Sequence, residues 1–176
     1  MSAIGKLWAS GPVVAETVRE NGKLLQDVYS FSPGDLSFGT AEYGGAGMLG
    51  TLDIPATGQL ESAELTLNAH GRSEQSGQLA TPGKHKFVLS GVQDVLEVNN
   101  DKVVAHRGIK VNITCIFKNA TYGDVEAPNT IDGSYVYEIL RYEEFVSGKE
   151  ILLWDKLNYI LRVGGKDQVS DISSML

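Results

Sequence analysis

The chain has 176 residues, which is enough to bury the core of one domain without a disulfide or a metal, and we expect a single domain over residues 1–176. Its 22 acidic and 15 basic residues give a formal net charge of −7 with no basic run, which disfavours tight binding of nucleic acid or anionic lipid. The single cysteine, Cys115, excludes an internal disulfide.

The sequence also bears on where the protein is made. The N-terminal residues lack the apolar segment of a signal peptide, and no apolar run approaches the roughly 18 residues that a membrane-spanning helix needs. We therefore expect synthesis in a cytoplasm and no insertion of this chain into a membrane.

A strand hairpin is predicted near the N-terminus, after a short segment at residues 3–9. Residues 12–20 form its first strand, and Asn21-Gly22 is the dipeptide most typical of a two-residue hairpin turn. The return strand covers residues 23–31, and Pro33-Gly34 ends it because this pair favours a turn.

Residues 36–43 form the next predicted strand, in which apolar residues alternate with a second side. This second side is small and polar, and it consists of Ser37, Gly39 and Ala41.

A glycine-rich stretch follows over residues 43–58, with four glycines in seven residues that free the backbone. Its apolar members are Met48, Leu49, Leu52 and Ile54. Because a solvated linker would not carry them, we expect burial, either under the parent domain or against another molecule. The Gly-x-Gly-x-x-Gly pattern within it is not a dinucleotide-binding turn, since Pro55 blocks regular structure where a helix should begin.

Residues 60–70 alternate again, with one side for a core and one for water. The core side consists of Ala63, Leu65, Leu67 and Ala69, and the water side of Ser62, Glu64, Thr66 and Asn68. A short helix is predicted over residues 73–80, with Ser73 as its N-cap and Thr81-Pro82-Gly83 as its end.

A long central hairpin is predicted next, with strands over residues 85–98 and 103–118 and a turn at 99–101. The second strand has the clearest alternation, with Ile109, Val111, Ile113, Cys115 and Phe117 on one side. A loop over 119–133, strands over 134–146 and 149–163, and a polar tail complete the chain.

These elements predict a mainly antiparallel β protein, a sandwich or barrel of six to eight strands with one short helix. Such a sheet leaves unpaired N–H and C=O groups at its edges unless it closes on itself. A homo-oligomer that joins these edges around a ring would satisfy them.

The residues show no arrangement typical of catalysis. The three histidines, His70, His85 and His106, are far apart and have no metal-ligand spacing, and Cys115 lies on the apolar side of its strand. Glu143 and Glu144 point to opposite sides of a strand. We therefore expect no catalytic residue, no metal and no cofactor, and the protein is predicted not to be an enzyme.

The chain resembles the major tail tube proteins of contractile phage tails and of R-type phage-tail-like bacteriocins, whose relatives include the haemolysin-coregulated proteins. The resemblance rests on Tyr43-Gly-Gly-Ala-Gly-Met-Leu-Gly50, on the long central hairpin, and on the ending Leu157-Asn-Tyr-Ile-Leu-Arg-Val-Gly-Gly-Lys-Asp-Gln-Val169. It covers nearly the whole chain. The segment 73–78 departs from it, being more polar than the helix of that family.

This resemblance implies a β-barrel or sandwich subunit that forms hexameric rings, which stack into a hollow tube through which DNA or ions pass without tight binding. It implies as partners further copies of the chain, a sheath protein, a tube initiator or baseplate, and a tape measure protein. The tube would belong to a virion tail or a bacteriocin particle assembled in the bacterial cytoplasm.

The resemblance also suggests residue roles. The inter-ring contacts would be Gly44, Gly45, Ala46, Gly47, Met48, Leu49, Gly50 and Leu52, and the lumen-facing residues Ser37, Gly39, Ala41, Ser62, Glu64, Thr66 and Asn68. The lumen-facing set would instead face outer solvent or a sheath if the orientation is reversed. A ligand- or carbohydrate-binding β-sandwich and a β-barrel enzyme are the alternatives, although the aromatic residues are scattered and no acid-base set converges.

Overall fold

The computed structural model describes residues 8–97 and 102–175. The predicted turn at 99–101 and most of the predicted segment at 3–9 lie outside these residues. The described elements are β1 (Trp8–Glu20), β2 (Lys23–Leu25), β3 (Val28–Pro33), β4 (Phe38–Tyr43), β5 (Leu52–Leu60), β6 (Glu64–His70), α1 (Glu74–Leu79), β7 (Lys84–Glu97), β8 (Lys102–Thr121), β9 (Asp132–Val146), β10 (Lys149–Asp155), β11 (Ile160–Val163), β12 (Lys166–Asp167) and α2 (Ser170–Ser173).

The predicted class, mainly antiparallel β, is confirmed, but the predicted numbers of strands and helices are too low. The predicted strand over 23–31 bends at residues 26–27, and the one over 149–163 is interrupted at 156–159. The glycine-rich stretch contains most of β5, and the tail that was predicted to be polar contains β12 and α2. Within the described residues the chain therefore has twelve strands and two short helices.

The main sheet curls around one core cluster, to which most of its strands contribute buried residues. Its strand order is β2-β1-β7-β8-β9-β6-β3, and every pair is antiparallel. The two end strands, β2 and β3, are consecutive in the chain and are joined by the bend at residues 26–27, so they lie close together. The first half of β9 pairs with β6 and its second half with β10, which carries β11 and β12 as an extension.

Two tight turns set the register of their hairpins. Asn21 and Gly22 have φ of 47° and 86°, and Ser147 and Gly148 have φ of 50° and 79°. Positive φ at both central residues is the geometry of a type I′ turn, whose twist matches that of the strands. The turn predicted at Asn21-Gly22 is confirmed, and the second turn joins the strands that were predicted to end at residue 146 and to begin at residue 149.

The core lies inside the curled sheet, and the predicted alternation accounts for it. The predicted core sides of β6 and β8 contact Phe87 of β7 and Tyr137 of β9 in one cluster. Phe87 and Phe117 each meet the Tyr137 ring edge to face, with ring centroids 5.1 and 5.7 Å apart. Long strands with one buried side thus enclose a single core.

The helix α1 covers one end of this core. Ser73 caps it as predicted, since its side chain accepts a hydrogen bond from the backbone N–H of Ser76 and Ser76 reciprocates. Leu79 is buried beneath it, and the hydroxyl of Tyr137 donates a hydrogen bond of 2.7 Å to the Leu79 carbonyl. Two contacts therefore fix the polar helix α1 on the sheet: the buried side chain of Leu79 and the hydrogen bond from Tyr137.

The structure overturns one local expectation. Pro55 does not interrupt regular structure; it lies within β5, opposite Thr40 of β4. In the described residues β5 pairs only with β4, so the nitrogen of Pro55 can face the unpaired edge, where a missing N–H removes no ladder hydrogen bond.

The assigned core can be tested with two leucines. Leu67 has 0% of its surface exposed, and Leu67→Ala should lower the free energy of unfolding by about 2–5 kcal/mol because a cavity replaces the lost side chain. Leu157 is 69% exposed, and Leu157→Ala should change it by less than about 0.5 kcal/mol. Urea titration followed by circular dichroism measures both, and equal effects would contradict the assigned core.

Candidate assembly surfaces

The strands β4 and β5 form a separate two-stranded ribbon, which we call the arm (residues 38–60). In the part of the chain that the structure describes, these strands pair only with each other. The tip of the arm is the turn at residues 44–51, where Gly47 and Gly50 have φ of 94° and 116°. These values lie in the region that L side chains rarely adopt, so glycine is needed for the chain to reverse here.

One side of the arm is apolar and exposed. Tyr43 lies opposite Leu52 and Ala41 opposite Ile54, so these side chains share a side of the ribbon. Tyr43, Leu52 and Ile54 are 59%, 55% and 48% exposed, and Leu49 at the tip is fully exposed. Of the two alternatives for this stretch, burial under the chain's own domain is therefore wrong for these residues.

All the predicted inter-ring residues lie at the tip or at the start of β5, and all are exposed: Gly44, Gly45, Ala46, Gly47, Met48, Leu49, Gly50 and Leu52. The structure thus brings them together on one protrusion. Their role in contacts between rings stays a prediction.

The other side of the arm is acidic, which the sequence analysis missed. Glu42 of β4 lies directly opposite Asp53 of β5, and both residues are exposed. Like charges directly opposite each other destabilise a strand pair. Only the register of the two strands places Glu42 and Asp53 opposite each other, so the sequence alone does not predict this pair.

The base of the arm packs on the body through Gly58. A Cβ on this residue would lie 2.9 Å from the Tyr159 hydroxyl and 3.2 Å from Cδ1 of Ile172, so no other residue fits without movement. Phe38 and Leu60 at the same end pack against the core. Tyr159 itself has φ of 56°, which is rare for a residue other than glycine.

Asp155 holds the turn that presents Tyr159. Its Oδ1 accepts hydrogen bonds from the backbone N–H groups of Leu157 and Asn158 at 3.0 and 2.9 Å. Its Oδ2 accepts from the Asn158 side chain at 2.7 Å and from Arg141 at 3.1 Å. Burial opposes its ionisation, but these hydrogen bonds outweigh that effect and lower the pKa of Asp155.

The predicted lumen-facing residues fall into two groups. Glu64, Thr66 and Asn68 share the outer side of β6, and Ser62 lies just before this strand instead of within it. Ser37, Gly39 and Ala41 lie at the base of the arm or in β4. Ala41 shares its side with Tyr43 and Ile54, so this side is apolar and not small and polar as predicted. That either group lines a lumen stays a prediction.

The carboxylates near β6 have basic partners. Lys118 of β8 forms an ion pair with Glu64, which raises the pKa of Lys118. Glu138 of β9 accepts hydrogen bonds from Lys156 at 2.7 Å and from Ser62 at 2.6 Å. Burial disfavours the charged form of Glu138, yet these hydrogen bonds prevail and lower its pKa. The outer side of β6 is therefore polar with much of its negative charge paired.

The strand β1 has an open edge. One of its sides pairs with β7, and within the described residues β2 covers the other side only over Val18–Glu20. Residues 8–17 thus leave backbone hydrogen-bonding groups without a strand partner, and Trp8, Val13 and Val14 along this segment are about half exposed. Such an edge can pair with another strand.

The candidate reactive residues do not form a catalytic site. Burial is the main cause that raises the pKa of the Cys115 thiol to about 12, and the negative charge of Glu20 adds to it. The thiol therefore stays protonated near neutral pH. His85 is buried between the Glu20 carboxylate, 2.5 Å from Nδ1, and the Thr81 carbonyl, 2.8 Å from Nε2. Its neighbours thus account for both ring nitrogens. Among the described residues no His, Cys, Asp or Glu cluster could hold a metal ion.

None of the helices in the described ranges is long and apolar enough to cross a membrane.

The fold of this chain also occurs in solved contractile injection systems. A chain of the PVC sheath/tube terminator in the extended state matches with a TM-score of 0.52 and 16% identity, over 76% of this chain and 95% of that one. A chain of the PVC sheath-tube complex matches with 0.51 and 18%, over 77% and 90%. A chain of the anti-feeding prophage tube terminating cap matches with 0.52 and 15%, over 77% and 90%. These likenesses show the fold.

The family follows from the sequence itself. The model of the phage tail tube protein FII family matches residues 15–176, and the chain belongs to this family. The resemblance to contractile tail tube proteins is thereby confirmed, and the role of the protein is structural. No curated protein matches the chain.

The contribution of Asp155 should depend on pH. Because its pKa is lowered in the folded protein, its ionised form stabilises the fold above the unfolded-state value, and this stability is lost as the pH falls through the folded-state pKa. Asp155→Asn should lower the free energy of unfolding by about 1–3 kcal/mol near neutral pH, and by less below about pH 4.

Urea titrations of both proteins at several pH values measure this difference. Asp35→Asn, at an exposed position, is the control and should have a small effect at every pH. A difference for Asp155→Asn that is as large near pH 3 as near pH 7 would contradict the assigned role of its carboxylate.

Proposed function

We propose that this protein is the repeating subunit of the inner tube of a contractile tail or tail-like particle, in which hexameric rings stack around a hollow conduit. The observation that carries this proposal is the arm, whose apolar side and tip are exposed although its base is packed firmly on the body. Several exposed apolar residues gathered on one protrusion mark a site of contact with another molecule.

In this proposal the arm reaches the next ring. Met48 and Leu49 at the tip are its anchors, since they are apolar and exposed and do not belong to the chain's core cluster. The glycines around them let the tip fit a partner surface without a Cβ in the way. The contact buries the apolar side of the arm, which a single copy leaves in water.

Neighbours within a ring join through strand edges. The open edge of β1 and the outer edge of β3, which pairs only with β6 among the described strands, are the available donors and acceptors. Pairing such edges around a closed ring removes them from solvent, as barrel closure does within one chain. The number six comes from the resemblance to the tail tube proteins.

The outer side of β6 lines the conduit. The two lysines beside it are paired with carboxylates, Lys118 with Glu64 and Lys156 with Glu138. These lysines therefore offer little to bind a phosphate backbone. DNA or ions can then pass without being retained. In the competing arrangement, the outer side of β6 faces solvent or a sheath instead of the conduit.

The partners follow from this role. The solved relatives are described as parts of sheath-tube, terminator and cap assemblies. We extend this to a sheath protein outside the tube, an initiator or baseplate and a cap at its ends, and a tape measure protein within it. The particle is assembled in the bacterial cytoplasm, and the tube subunit acts without catalysis or a cofactor.

The arm's role can be tested by making its tip polar. Met48→Asp with Leu49→Asp should leave a folded subunit, because neither residue belongs to the core, but should prevent elongation of tubes by placing two charges in an apolar contact. Sedimentation and negative-stain electron microscopy measure the tubes, and circular dichroism checks the fold.

A matched control is Val125→Asp, at a loop position that is 73% exposed and lies outside the arm. This variant should assemble like the unmodified protein. Tubes of normal length and yield from the variant with both tip substitutions would show that the tip does not join the rings.

A further inference from the structure

Among residues 8–97 and 102–175, the acidic side of the arm has no basic partner. Glu42 and Asp53 are opposite each other and exposed, and neither forms an ion pair with any cation in the described part of the protein. The arm therefore keeps a repulsive pair on one side while its other side is apolar. A nearby cation would relieve the repulsion.

A basic patch lies on the outer side of the body, and we define it as Arg19 of β1, Lys86 of β7 and Lys110 of β8. Arg19 lies opposite Val88 of β7, and Lys86 is two residues from Val88 in the same strand. Val88 in turn lies opposite Asn112 of β8, and Lys110 is two residues from Asn112. Residues two apart share a side of a strand. Strand spacing places the three within roughly 15 Å of one another.

The basic patch likewise has no acidic partner in the part of the chain that the structure describes. All three of its residues are exposed, and the described part of the protein contains no ion pair that involves them. The adjacent carboxylate, Glu143 of β9, already accepts hydrogen bonds from Arg141 and from Asn112. Three unpaired cations on one side are notable in a chain whose net charge is −7.

The two charged surfaces lie on different parts of the molecule. The arm leaves the body between β3 and β6, whereas the basic patch lies on β1, β7 and β8, with β9 separating these strands from β6 in the sheet. The outer sides of strands around a curled sheet point away from a common centre, so the patch and β6 face different directions. Because the acidic side of the arm and the basic patch lie at different places on one copy, they favour a head-to-tail contact between copies. Such a contact can repeat from one copy to the next.

We propose that the acidic side of the arm docks on the basic patch of a neighbouring copy of this chain. The inference rests on the proposed tube, and it adds the surface that receives the arm. Glu42 and Asp53 face Arg19, Lys86 and Lys110 of that copy, while the same contact, which joins one ring to the next, covers the apolar side of the arm. The charges select the partner and its orientation, and apolar burial holds it.

Charge reversal and its repair test the pairing. Glu42→Lys with Asp53→Lys reverses the arm, and Arg19→Glu with Lys86→Glu and Lys110→Glu reverses the patch. Each set alone should reduce the yield of sedimentable tubes by about tenfold or more, because like charges then meet. A chain with all five substitutions restores opposite charges and should recover most of the tubes.

Salt gives a second readout on the unmodified protein. Raising the ionic strength from about 0.05 to about 0.5 M should slow tube growth, since exposed charges are screened. Glu42→Gln with Asp53→Asn removes the charges without reversing them, and its tube growth should depend much less on salt. Circular dichroism of every variant checks that the subunit is folded.

The outcomes separate this inference from the proposed tube. If the unmodified protein forms tubes but the five-substitution chain does not recover, or the patch-reversed chain assembles normally, the pairing is overturned and the tube stands. A patch-reversed chain that assembles normally but no longer binds a sheath protein would assign the patch to the sheath. If the unmodified protein forms neither rings nor tubes, both proposals fail.

Discussion

The main constraint on this structure is the arm, a two-stranded ribbon whose apolar side and acidic side both stay exposed in a single copy of the described chain. The arm carries exposed apolar residues on one side, Tyr43, Leu52 and Ile54, and the like-charged pair Glu42 and Asp53 on the other. An isolated two-stranded ribbon is only marginally stable in water. Its conformation gains support from surfaces that match both sides, and in the proposed tube these belong to other copies.

The body is built to hold this ribbon in a fixed direction. Gly58 lets β5 approach Tyr159 and Ile172 closely, and the turn that positions Tyr159 is fixed by hydrogen bonds to Asp155. The strand β9 ties this region to the core, because one half of it pairs with β6 and the other with β10. A rigid base with a pliable glycine-rich tip suits a contact that must be placed accurately and still fit its partner.

Alternation and turn chemistry allowed much of the fold to be predicted. The buried side of β6, the turn at Asn21-Gly22 and the cap at Ser73 are local features, and each was found where the sequence placed it. Of the glycine-rich stretch, only residues 44–51 form a turn; the rest belongs to β4 and β5. What could not be predicted depends on register and on distant partners.

Glu42 and Asp53 become a pair only through the hairpin register, and a slip of one residue would separate them. The Asp155 site needs Arg141 from another strand and a Tyr159 backbone conformation that its residue type does not favour. The polar tail gave no sign of α2, which forms because Ile172 packs against the core.

The central claim is that another copy covers the arm. Amide hydrogen exchange of residues 44–52, compared between assembled and dispersed protein, tests it most directly. We expect fast exchange in the dispersed subunit and strong protection of this segment in the assembled form, with little change at residues 122–131. Equal exchange of residues 44–52 in both forms would contradict it.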